Sequence, residues 1–96
     1  MAEECDRDCY RGACKFLMDN DLEGEGLVVH GRVFAGTPKR WINHAWAELP
    51  NHVYDPHMGI VGIIEYQDKV TPEVDNKYTL EEALIKVTRN KHWGPW

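Results

Sequence analysis

The stretch INHAWAELPNHVYDP, residues 42–56, consists of two short apolar-polar runs joined by Leu49-Pro50-Asn51. Pro50 marks a bend, and Pro56 ends the second run, because proline cannot donate a hydrogen bond to a neighbouring strand. The pattern predicts two antiparallel strands, over residues 41–48 and 52–55, that form a hairpin.

This hairpin places a histidine and an aspartate within reach of each other. In a strand, His44 shares a face with Ile42, Trp46 and Glu48. A two-residue turn puts Asp55 opposite His44, and a four-residue loop puts it on the diagonal of the same face. A three-residue loop would separate the two side chains onto opposite faces. Two of the three simplest hairpins therefore bring the carboxylate to the imidazole.

The remaining elements complete an α+β pattern. Apolar residues at helical spacing predict a helix over residues 4–19, and the β-branched run LVVHGRVF, residues 27–34, predicts a strand. Residues 60–70 and 74–78 are expected to be extended, and the capping box Thr79-Leu80-Glu81-Glu82 opens a helix that runs to about Arg89. We expect one domain, residues 1–96, with an N-terminal helix, about four to five antiparallel strands and a C-terminal helix.

Composition narrows the function classes. Hydrophobic residues make up 43% and charged residues 28%, as in a globular domain. The net charge of -5 argues against nucleic-acid binding, which needs clustered Lys and Arg. The acidic start does not resemble a signal peptide, and no apolar run approaches the ~20 residues that span a bilayer. A cytoplasmic location is therefore expected.

Three cysteines, Cys5, Cys9 and Cys14, lie in the first segment with the spacing C-x3-C-x4-C. The odd number and the expected compartment favour free thiols, and the spacing is not that of a zinc knuckle. Cys9 lies in the first turns of the predicted helix, where the helix dipole lowers a thiol's pKa. Cys14 is expected to fill the core, and Cys5 lies at the start of the helix.

Together these residues predict a catalytic triad. Asp55 would fix the tautomer of His44, and the second ring nitrogen would take a proton from the Cys9 thiol. The reaction class is acyl transfer, or hydrolysis of an amide or thioester, through a covalent thioester. It needs no cofactor and no metal.

The order of motifs also resembles known families. Cys9, then HAWAE at residues 44–48, then VYDP at residues 53–56, is similar to transglutaminase-like and papain-like cysteine-histidine-aspartate domains. The whole chain also resembles a group of small bacterial and phage proteins, through CYRGA, VVHG, HAWAE, VYDP and HWGPW. The first resemblance implies a miniature transglutaminase-like core with a cysteine hydrolase or acyltransferase activity. The second brings no function with it.

Candidate substrate contacts are Trp46, His30, Arg32 and Tyr54. Each has a structural alternative. Packing in the core is favoured over substrate contact for Trp46 and Tyr54, and the role of a satisfied strand histidine is favoured for His30. His44 and Asp55 could likewise bond only to satisfy buried polar groups. Arg32 could also hold an anionic substrate, together with Arg40.

Two other functional classes remain open. The chain contains ligand types for a transition-metal site, although no metal-binding spacing supports one: His30, His44, His52, His57, Asp55 and Cys9. A non-enzymatic binding module would instead expose aromatic side chains such as Trp41, Trp93 and Trp96. We expect Trp93 to fold back near Trp41 or Trp46 and wall the His44 site. The alternative is that this tail forms a homodimer surface.

Overall fold

The structure is a computed structural model that describes residues 3–4, 8–20 and 25–96. Its elements, in chain order, are β1 Glu3–Glu4, α1 Asp8–Asp19, β2 Leu27–Ala35, β3 Arg40–Glu48, β4 His52–Asp55, β5 Gly59–Gly62, α2 Ile63–Val70, β6 Glu73–Thr79 and α3 Leu80–Asn90. Five strands form an antiparallel sheet in the order β5-β4-β3-β2-β6, and β1 pairs in parallel with β3. The predicted α+β class is confirmed.

Side chains that alternate along the strands build a separate core on each face of the sheet. One face is covered by α1 and α3 and is called the α1 face here; its buried cluster is Cys9, Tyr10, Ala13, Cys14, Leu17, Val28, Ala45, Ala47, Leu80 and Ala83. The other is covered by α2 and is called the α2 face; its cluster is Val29, Val33, Trp46, Val53, Tyr66 and Val70. Neighbours in β3 such as Ala45 and Trp46 therefore belong to different cores.

The local predictions are confirmed where the signal was strongest. Strands were predicted over residues 27–34, 41–48, 52–55 and 74–78, and each lies within an observed strand. Glu48 pairs with Val53, which is the register expected for a four-residue loop, and the Leu49 amide also donates to the His52 carbonyl at 2.8 Å. At the start of α3, the Thr79 hydroxyl accepts from the Glu82 amide at 3.1 Å, and Glu82 Oε1 accepts from the Thr79 amide at 2.9 Å.

Two predicted boundaries are wrong. Residues 63–70, expected to be extended, form α2. The β-branched run masks a helical spacing in which Ile63, Tyr66 and Val70 all face the sheet. The N-terminal helix begins at Asp8 instead of residue 4, because Glu3–Glu4 pairs with β3. Cys5 lies outside the described residues.

The C-terminal tail folds back as predicted, but it does not cover the His44 site. Trp93 and Trp96 pack against the α1-face cluster. Trp46 and His44 lie on the α2 face, so the tail does not wall the His44 site. Gly94 adopts a φ of 122°, a left-handed conformation that glycine accommodates readily.

Candidate functional site

The predicted histidine-aspartate pair is present on the α2 face. His44 Nε2 lies 2.8 Å from Asp55 Oδ2, and the Tyr66 hydroxyl donates to the same oxygen at 2.6 Å. The His57 backbone amide donates to Asp55 Oδ1 at 2.8 Å. These hydrogen bonds join the side chains of His44 on β3, Asp55 on β4 and Tyr66 on α2 into one network, and all three side chains are buried. The register of the hairpin places Asp55 on the diagonal from His44, as a four-residue loop requires.

The electrostatics of this network favour an ionised carboxylate. Burial by itself would raise the pKa of Asp55, but the hydrogen bond and charge of His44, with the Tyr66 and His57 donors, lower it to about 2. Burial and the adjacent carboxylate raise the pKa of Tyr66. At neutral pH, Asp55 is therefore an acceptor and Tyr66 a donor. His44 Nδ1 is buried and has no hydrogen-bond partner within the described part of the chain.

Cys9 is not brought to this pair. It is fully buried in the α1-face cluster, whereas the His44 ring lies on the opposite face. The Cys9 sulfur is also disulfide-bonded, in contrast to the free thiol that the sequence predicted. Cys14 is free and buried, and burial raises its pKa to about 11. Neither sulfur is an exposed thiolate in this structure.

The predicted substrate contacts are scattered across both faces. Trp46 is buried on the α2 face, and Tyr54 stacks on Phe16 with ring centroids 4.0 Å apart. Arg32 forms an ion pair with Glu73, and its guanidinium carbon lies 5.1 Å from the centroid of the Trp41 ring. Of these side chains, Trp46 lies beside His44, with ring centroids 6.1 Å apart, whereas Tyr54 packs against the α1-face cluster.

His30 lies instead in the wall of a cavity of about 230 Å³ on the α1 face. Residues from α1, β2, β3, β6 and the tail line it: Tyr10, His30, Gly31, Asn43, Asp75, Asn76, Tyr78, Pro95 and Trp96. The sheet pairings place Asn43 and Asn76 on strands either side of β2. The cavity therefore combines aromatic side chains with two amides and one carboxylate.

Aromatic rings enclose His30. Its ring centroid lies 4.8 Å from that of Tyr10, 5.2 Å from that of Tyr78 and 4.9 Å from that of Trp96. Burial lowers the pKa of His30 to about 4, so the imidazole is neutral at pH 7. Its Nε2 is buried and has no hydrogen-bond partner among the residues that the structure describes.

Sequence reasoning identified His30 but missed the rest of this lining. Asn43 directly precedes His44 in a predicted strand. Because neighbouring side chains in a strand point to opposite faces, the sequence could have placed Asn43 on the face opposite His44. Asp75, Asn76 and Tyr78 could not be assigned, because the pairing of β6 with β2 joins segments far apart in sequence. The tail was expected on the other side of the sheet.

The proposed metal ligands do not converge. The His44 and His57 rings stack with centroids 5.5 Å apart, but His30 lies on the opposite face. Within residues 3–4, 8–20 and 25–96, no group of three or more His, Cys, Asp or Glu side chains is placed to hold a metal ion.

No helix in the described ranges is both long and apolar enough to cross a membrane. In comparisons with known proteins, no family model, no curated protein and no solved structure matches the chain.

Proposed function

We propose that the protein is a small-molecule binding domain whose ligand occupies the cavity over His30. The observation that carries this proposal is His30, a residue that lines the cavity and whose buried Nε2 has no hydrogen-bond partner in the described ranges. A buried polar atom left unsatisfied costs about 1–3 kcal/mol, and native proteins rarely retain one without a reason. A ligand or a trapped water that bonds this nitrogen removes the penalty.

The lining supports a binding role. Tyr10, Tyr78 and Trp96 supply apolar area, whereas Asn43 and Asn76 supply donors and acceptors that fix orientation. This combination of apolar walls and a few polar groups is typical of ligand sites. The volume of about 230 Å³ lies below the roughly 300–1,000 Å³ of pockets for drug-sized ligands, so the ligand is small.

Nuclear magnetic resonance with a library of small soluble fragments tests this proposal. We expect binders to shift the His30 ring, the side-chain amides of Asn43 and Asn76, and the Trp96 indole. Asn43→Ala should weaken those binders, whereas Asn51→Ala, in the exposed β3–β4 loop, should not. A library in which every binder maps to the α3 surface or the α2 face would contradict the proposal.

A thiol-dependent acyl transfer or hydrolysis is the second candidate function. The His44–Asp55 hydrogen bond favours it, as does the Nδ1 of His44, which has no hydrogen-bond partner among the described residues and is the atom that a thiol would engage. A Cβ built on Gly12 would lie 3.1 Å from Pro56 Cβ, so the early turns of α1 lie close to the end of β4. The family resemblance points the same way. The reaction would require reduction of the Cys9 disulfide and approach of its thiol to His44.

In that mechanism, the Cys9 thiolate attacks a carbonyl carbon and the His44 imidazolium protonates the leaving group. Water or another acceptor then cleaves the thioester. Alkylation of the reduced protein across pH tests it, with peptide mapping of the modified thiol. Labelling of Cys9 well below about pH 8.5, lost in His44→Gln and retained in Cys14→Ser, would support the mechanism. Slow labelling of all thiols only above that pH would exclude it.

A further inference from the structure

The cavity over His30 has a negative electrostatic character. Among the side chains of the described residues that line it, Asp75 carries the only one that is ionised at neutral pH. His30 adds no positive charge there, since burial lowers its pKa to about 4. No described Lys or Arg lines the cavity, and the guanidinium of Arg32 is engaged by Glu73. The site is therefore poorly suited to an anion.

The aromatic lining adds a second feature that favours positive charge. The Tyr78 and Trp96 rings make an edge-to-face contact, at 82° with centroids 5.2 Å apart, and this pair is called the aromatic corner here. The Tyr10 ring stands at 88° to His30 on the same cavity. The face of an aromatic ring carries partial negative charge and attracts a cation within about 6 Å of its centroid. Tryptophan is the strongest of these partners.

We infer that the ligand is a small organic cation of the alkylated-ammonium class that carries one polar substituent. This inference rests on the proposed binding function and specifies its ligand. The ammonium group would occupy the aromatic corner near Asp75, where ring faces replace part of its hydration. The amides of Asn43 and Asn76, with the neutral imidazole of His30, would bond a hydroxyl or carbonyl group on the same molecule.

Titration with choline and with 3,3-dimethylbutan-1-ol tests the inference. The alcohol has the shape of choline, with a carbon atom in place of the charged nitrogen. The indole N–H resonance of Trp96 and the side-chain amide resonances of Asn43 and Asn76 report binding. We expect choline to bind about tenfold more tightly than the alcohol, from the contact of a cation with aromatic faces.

Two variants separate the contributions of charge and of the ring. Asp75→Asn should weaken choline roughly threefold, a modest effect because the carboxylate is exposed and screened by water. Asp68→Asn removes the same charge from the exposed side of α2 and should leave choline binding unchanged. Trp96→Leu keeps apolar volume without a ring face, and should weaken choline more than the neutral alcohol.

The outcomes separate this inference from the binding function itself. Equal affinity for choline and the alcohol would overturn the cationic ligand and leave a binding site for neutral molecules. Binding of flat neutral fragments in the cavity, with no binding of choline, would also overturn it. If no fragment of any class binds over His30, both the inference and the proposed function fail.

Discussion

His30 and His44 are buried histidines on adjacent strands, yet their surroundings differ. The register pairs Gly31 with His44, so the two histidines are near neighbours whose side chains lie on opposite faces. His44 faces a carboxylate that also accepts from Tyr66. His30 faces three aromatic rings and a cavity, and its Nε2 has no partner in the described ranges.

The difference separates structural stabilisation from recognition. On the α2 face, one carboxylate satisfies side chains from β3 and α2, which fixes the helix on the sheet. Each ring keeps one buried nitrogen without a partner in the described ranges, Nδ1 of His44 and Nε2 of His30, and the His30 ring also lines a cavity. The same residue type therefore stabilises the fold at one site and is available to a ligand at the other.

The largest expected effect is that of Asp55→Ala. The change leaves His44 and Tyr66 buried without their shared acceptor, and each buried polar group left unsatisfied costs about 1–3 kcal/mol. We expect that loss in the free energy of unfolding, measured with urea at pH 7. Asp68→Ala, an exposed aspartate of α2, should change stability by less than about 0.5 kcal/mol. A similar small loss for Asp55→Ala would show that the network does not hold α2.

The second largest effect should be the pH dependence of stability that arises from His30. Burial lowers the pKa of His30 from 6.5 to about 4. The unfolded chain therefore takes up a proton near pH 6.5, whereas the folded protein resists until about pH 4. Stability should fall as pH drops through this window, by on the order of 3 kcal/mol in total.

Urea unfolding of wild type and His30→Phe at several pH values measures this effect. The variant should lack the part of the decline that belongs to His30, whereas His52→Gln, an exposed histidine, should retain it. Parallel curves for wild type and His30→Phe would mean that His30 is not held neutral by burial.

A glycine pair tests how tightly the tail closes over His30. Gly94 and Gly59 both have positive φ, so alanine costs about 1–2 kcal/mol at either position. A Cβ on Gly94 would also lie 2.7 Å from His30 Cε1, whereas one on Gly59 has nothing within 4 Å. Gly94→Ala should therefore lose roughly 1–3 kcal/mol more than Gly59→Ala. It should also shift the His30 ring resonances; equal losses with unchanged resonances would show that the tail is not packed there.

Local sequence patterns predicted the α2-face pair but not the cavity. His44 and Asp55 are eleven residues apart in one hairpin, where loop length and the two-residue period of a strand determine the contact. The cavity depends on the pairing of β6 with β2 and on the path of the tail. Such contacts between distant segments leave no periodic signal in the sequence.

The failure at Cys9 has the same origin. The sequence predicted the helix around Cys9, but a helix has no sequence signal for which face of a sheet it will cover. The α1 cluster includes Ala45 and Ala47, so the small side chains of β3 accept the helix on the face opposite His44. The sequence therefore predicted the His44–Asp55 contact and the helix that carries Cys9. It did not predict that the helix places the Cys9 thiol on the other face of the sheet.

The smallest expected change is that of Tyr66→Phe, which removes one donor from Asp55. The hydroxyl donates at 2.6 Å, but Asp55 keeps the His44 ring and the His57 amide, so no buried donor is orphaned. The loss of a hydrogen bond to a carboxylate should then cost about 1–2 kcal/mol at pH 7.

The loss of stability at acidic pH provides a second measurement on Tyr66→Phe. The pKa of Asp55 is lowered from 3.8 to about 2, so its contribution is present above pH 3.8 and is lost as pH falls through about 2. Without the Tyr66 donor the pKa should rise, so the contribution becomes smaller and disappears at a higher pH. Fluorescence-monitored acid unfolding of wild type and variant measures that shift. If Tyr66→Phe instead costs as much as Asp55→Ala, then Tyr66 supplies most of what stabilises the carboxylate. The His44–Asp55 bond would then contribute little to stability, and the contrast between the two faces would lose its physical basis.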